Sequence, residues 1–76
     1  MPNNNMRYER VRRFLTLEQV AKSIGVHPNA LARWERGESE PTSSNLVELA
    51  RYYDVTAEYL LGVTDNRDAA AVAPAN

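Results

Sequence analysis

The sequence contains no cysteine and a single histidine, His27. Without thiols there is neither a disulfide framework nor a thiolate metal site, and one histidine cannot chelate a metal alone. Folding must therefore rest on packing, with no metal and no cofactor expected. Long apolar runs are also missing. Nothing approaches the roughly 20 residues needed to span a bilayer, and residues 1–5 lack the basic start and apolar core of a signal peptide. A cytoplasmic location with no membrane partner is the expectation. At 76 residues the chain leaves room for one domain and none for a separate catalytic or ligand-binding unit. Its hydrophobic share of 43% and charged share of 25% are those of a globular protein.

A strong excess of one charge is absent too, since the formal net charge is -1. That figure argues against a partner made of phosphates, which usually leaves a basic footprint. Charge is nevertheless unevenly distributed. Residues 1–36 carry seven Arg and Lys against three Glu, whereas residues 37–76 carry two against seven acids. The split into +4 and -5 points to one end facing a polyanion. Two independently solvated halves are the competing reading.

Capping residues divide the chain into five helices. Residues 1–5 are expected to be flexible, with Asn5 capping a first helix from Met6 to about Arg13. On that helix Tyr8, Val11 and Leu15 share the apolar face. Thr16-Leu17-Glu18-Gln19 fits a capping box and opens a second helix over 17–24, followed by Gly25 as a turn. His27-Pro28 opens a third helix ending near Arg36, because proline suits the first helical position and pushes the preceding residue into an extended cap. Thr42 or Ser43 caps a fourth helix through Tyr53, with Leu46, Leu49, Ala50 and Tyr53 at helical spacing. Asp54 suits a left-handed cap. Thr56 caps a fifth helix, 57–61, closed by Gly62. Domain limits of 6–63 follow, with a mobile tail over 64–76.

The third helix holds the candidate site. At about 100° per residue, with Asn29 at zero, Arg33 lies near +40°, Arg36 near -20° and Ala32 near -60°. Leu31 and Trp34 fall opposite, near 200° and 140°, and anchor the helix to the core. The outer face thus offers an amide that can pair bidentately with adenine and guanidiniums suited to guanine or phosphate. Either arginine alone reads more simply as solvated surface. The short helix, glycine turn and proline-initiated second helix around them raise the functional reading.

In the stretches LEQVAKSIGVHPNALARWERGESEPT and LVELARYYDVTAEYLLG the chain resembles the phage repressor and Cro type of helix-turn-helix regulators, the XRE family, over about residues 6–62. Ala21 matches the small residue where two helices approach, Gly25 the turn, and Leu31 and Trp34 the buried anchors. The resemblance implies an all-α, five-helix lambda-repressor-like DNA-binding domain with its helix-turn-helix at about 17–36. The third helix would then read bases in the major groove through Asn29 and Arg33, with His27, Pro28 and Ala32 matching nearby contact positions. Arg36 would hold phosphate. Thr42, Ser43 and Ser44 would meet phosphate at the start of the fourth helix.

Three features depart from the family pattern. Position 17 is often a phosphate-binding Gln and here is Leu17, and the often basic loop after Gly37 reads Glu38-Ser39-Glu40. Both changes weaken affinity for DNA of any sequence. The third concerns the arginine of the first helix that pairs with Glu35. A gapless match selects Arg10 and buries Glu9, whereas a two-residue shortening selects Arg12 and buries Tyr8 and Val11. The apolar residues favour Arg12. Glu35 is then structural rather than catalytic, and Ser43 and Ser44 are caps rather than nucleophiles, since no base accompanies them. Tyr59, beside Leu60 and Leu61, belongs either to the core or to a dimer surface.

The expected function is that of a transcriptional repressor, not an enzyme, in which a homodimer contacts a palindromic stretch of double-stranded DNA. Dimerisation through about 56–63 would supply affinity that few phosphate contacts cannot. An antitoxin or adaptor that binds a protein partner through its acidic half is the alternative.

Overall fold

In the computed structural model residues 4–67 are described, and they form five helices with no strand among them: α1 (Met6–Val11), α2 (Leu17–Ile24), α3 (Pro28–Arg36), α4 (Ser43–Tyr53) and α5 (Ala57–Leu61). No helix among the described residues is long and apolar enough to cross a membrane.

The caps act largely as their residue types predict. The Thr16 hydroxyl accepts from Gln19 N–H, while Gln19 Oε1 accepts from Thr16 N–H at 2.8 Å, closing the capping box. Gly25, with φ at 77°, takes the left-handed conformation that costs a side-chain-bearing residue most, and turns the chain from α2 into α3. Thr42, not Ser43, caps α4, Thr56 caps α5, and Asp54 ends α4 in left-handed geometry. Asn5 departs from expectation. Its side chain makes no cap bond to α1, and its Nδ2 instead donates to the Tyr59 carbonyl at 2.7 Å.

Leu31, Trp34, Leu49, Tyr53, Val55 and Leu60 are buried together with Val20 and Ala21 of α2. Leu17 packs partly against them, which gives position 17 a structural use. Tyr59 is buried as well and belongs to the core.

The first helix is where the sequence-based expectation fails. It stops at Val11 rather than near Arg13, and Tyr8 and Val11 are 58% and 44% exposed. The buried positions are Met6 and Glu9. Glu9 is fully enclosed, and its carboxylate accepts from Tyr59 Oη at 2.7 Å, from Arg67 Nε and Nη2 at 3.0 and 2.7 Å, and from Arg13 Nη1. A buried carboxylate is tolerated when such donors replace its water. Burying Glu9 turns the neighbouring Arg10, not Arg12, toward α3. Arg10 Nε and Nη2 grip Glu35 at 2.8 and 3.0 Å, so the preference for Arg12 is overturned. Arg12 points to Glu9 and over the Tyr8 ring.

Parts of both expected flexible ends are tied down. Asn4 Nδ2 donates to the Trp34 carbonyl, and Thr56 N–H donates to the Arg67 carbonyl. The rest of those segments, residues 1–3 and 68–76, lies outside the described residues.

Candidate nucleic-acid interface

The candidate site is built on α3, whose orientation is fixed from three sides. Leu31 and Trp34 anchor its inner face, and α2 packs against it across the turn at Gly25. Glu35, only 6% exposed, is clamped by Arg10, whose Nη1 also donates to the Leu15 carbonyl. Hydrogen bonding by Glu35 outweighs the cost of burial for Arg10 and raises its pKa, so the guanidinium keeps its charge. This pair is a strut between α1 and α3 and faces away from solvent.

With one face locked inside, the other is presented outward. Asn29, Arg33 and Arg36 are exposed, while Ala32 and Pro28 are half-buried beside them. His27 sits at the entrance, where its Nδ1 accepts from Asn29 N–H at 3.0 Å. In the neutral ring that bond leaves the proton on Nε2, a donor on the exposed edge. The helix thus carries an amide, two guanidiniums and an imidazole edge on a rigid support, the donor set that base edges and phosphates accept.

A second cluster lies where α4 begins. Thr42, Ser43 and Ser44 are all exposed. Thr42 Oγ1 accepts from Asn45 N–H at 3.2 Å and lies 3.3 Å from Ser44 Oγ. The N–H groups of Ser43 and Ser44 fall in the first turn, where a helix supplies no acceptor of its own. Such a terminus suits an anion.

One residue of this surface was not singled out as a partner of the site. Glu38, across Gly37 from α3, grips Arg36 Nε and Nη2 at 2.7 and 3.1 Å. The signal was present in Arg36-Gly37-Glu38. Gly37, with φ at 76°, folds the chain back so that Glu38 N–H donates to the Arg33 carbonyl, which sets its side chain beside Arg36. Hydrogen bonding raises the pKa of Arg36 and, helped by the charges of Arg36 and Arg33, lowers that of Glu38.

Comparison with known proteins identifies the family. The family profile described as helix-turn-helix matches residues 6–60. The HTH-type transcriptional regulator YobD of Bacillus subtilis is 43% identical over 54 residues, covering 71% of this chain and 48% of that protein. Repressor protein C2 of Salmonella phage P22 is 36% identical over 64 residues, 78% of this chain and 30% of its own length. The HTH-type transcriptional regulator DicA of Escherichia coli is 32% identical over 56 residues, 74% and 42% respectively. The chain therefore spans about half the length, or less, of these relatives. No solved structure gives a significant match.

Proposed function

The chain belongs to the helix-turn-helix family of the Cro/C1 (XRE) type, whose members are DNA-binding transcription regulators rather than enzymes, and from that premise we propose that it reads a specific operator with α3 in the major groove. The observation that carries the proposal is the split of α3, with Asn29, Arg33 and Arg36 outside and Leu31, Trp34 and Glu35 locked inside. Asn29 and Arg33 read base edges. His27, Pro28 and Ala32 border them, and Arg36 with the Thr42, Ser43 and Ser44 terminus holds phosphates on either side.

Two copies on a palindromic operator would place their α3 helices about 34 Å apart, in successive major grooves. Tyr59 and Leu60 are used by the core, so residues 56–63 leave half-buried Leu61 and exposed Val63 as the apolar contribution to a dimer. Repression follows where the bound dimer blocks polymerase. Sedimentation showing monomers alone, with and without operator, would remove the dimer from the proposal.

Selection of bound genomic fragments, followed by Arg33→Ala, tests the whole. Loss of a bidentate base contact weakens operator binding by about 1–3 kcal/mol and relaxes one base position, with helical content unchanged. A second reading, an antitoxin or adaptor that binds another protein, has in its favour Tyr8, Val11 and Phe14, exposed by 58%, 44% and 93%. Operator discrimination that survives Arg33→Ala would shift the weight to it.

A further inference from the structure

We infer that Glu38 is a built-in competitor for phosphate, which occupies the Arg36 guanidinium and so sets how tightly the chain holds DNA of any sequence. The inference rests on the reading of α3 as the DNA-facing helix. Its basis is geometric. A guanidinium binds carboxylate and phosphate through the same pair of parallel N–H donors, and Glu38 already fills such a pair on Arg36 at 2.7 and 3.1 Å. The backbone places it there, because the left-handed turn at Gly37 and the bond from Glu38 N–H to the Arg33 carbonyl at 2.9 Å return the residue to the last turn of α3.

Accessibility separates this pair from the one that anchors α3, and position on α3 separates it from the exposed Arg51–Glu48 pair of α4. Arg10–Glu35 has side chains 13% and 4% exposed, so its partners cannot be exchanged without opening the core. Arg36 and Glu38 are 57% and 53% exposed, and a phosphate can reach the guanidinium directly. For Arg36 to hold a phosphate through those donors, Glu38 must let go. It then stands as a second anion near the first and within the field of Arg33. Glu40 is exposed in the same loop but makes no ion pair among the described residues, so it shares the charge without the competition. Binding to DNA of arbitrary sequence depends almost entirely on phosphates neutralised, and withholding one guanidinium lowers that number by about one.

The test uses the full chain and a mixed-sequence duplex of about 20 base pairs, with affinity followed by fluorescence anisotropy from 50 to 200 mM NaCl. Glu38→Gln should steepen the slope of log affinity against log salt by about 0.9, so that the fourfold rise in salt costs this variant about 3.5-fold more than the wild type. It should bind tighter than the wild type, with the gain largest at the low-salt end. Arg36→Ala should abolish that gain in the double variant, and Glu40→Gln should leave the slope unchanged. Equal slopes for Glu38→Gln and Glu40→Gln would overturn the inference, as would a gain that persists without Arg36. Either result leaves the DNA reading standing if the wild type binds duplex with a salt-dependent slope. Absence of duplex binding by the wild type and every variant would overturn both.

Discussion

Replacing Arg67 with alanine removes two of the donors that hold the Glu9 carboxylate inside the protein. Burial pushes that carboxyl toward a higher pKa, but hydrogen bonds from Arg67, Arg13 and Tyr59 outweigh it and bring the value from 4.5 to about 2. A displacement of that size corresponds to at most about 3.5 kcal/mol of folding free energy. The Arg67 side chain is 42% exposed, and screening reduces its share to about 1–1.5 kcal/mol. Because the folded-state pKa lies below the unfolded one, the contribution is complete above about pH 4.5 and is lost as pH falls toward 2. Arg67→Ala should lower Tm by about 5–10 °C at pH 7. It should also move acid unfolding to higher pH, since the remaining donors hold Glu9 less firmly. Circular dichroism melts between pH 7 and 2 measure both effects. A variant with Tm within about 2 °C of the wild type at pH 7 and the same acid midpoint would refute the reasoning.

Three other outcomes follow from local chemistry. Phe14 takes a left-handed conformation, φ 58°, with its ring 93% exposed, so Phe14→Gly should raise stability in urea by about 0.5–1 kcal/mol; a destabilised variant would mean that the ring makes a needed contact. Glu35→Gln leaves Arg10 buried without its counter-charge and should cost about 3 kcal/mol in the same assay, more than an exposed charge deletion. Tyr53 Oη is buried with no hydrogen-bond partner among the described residues, and Tyr53→Phe should leave the urea midpoint unchanged or raised; a loss above about 1 kcal/mol would reveal a bond to that hydroxyl.

Much of this was legible because caps and glycines act locally. Thr16 with Gln19, Gly25, His27-Pro28, Thr42 and Thr56 each satisfy or turn backbone within four residues, so the bounds of α2, α3 and α5 follow from sequence alone. The division of α3 into an anchoring and an outward face was legible for the same reason. The first helix was not. Apolar periodicity selects Tyr8 and Val11, but Glu9 is buried instead, by virtue of Arg67, 58 residues away. No local pattern announces such a partner. The choice between Arg10 and Arg12 was lost with it, since two positions on a helix are a rotation of about 200°. Phe14 gave no sign of left-handed geometry, which its residue type disfavours.

The seam between the first helix and the last also has a kinetic side. Asn5 N–H donates to the Leu60 carbonyl at 3.0 Å, its side chain to Tyr59, and Arg67 to Glu9, all across more than 50 residues of intervening chain. Contacts at such separation form only after the largest loop in the domain has closed, whereas α2, the turn and α3 meet within a few residues. The unit that presents the outward face of α3 can assemble early, and α1 docks as the closing event. In the folded protein the same order runs backwards. Amide hydrogens of α1 and of the segment after α5 should exchange together, as one cooperative piece, before those of α2 and α3. The span matched by the family, 6–60, stops short of the segment after α5 and leaves out Asn5 and Arg67, two of the residues that latch that piece shut.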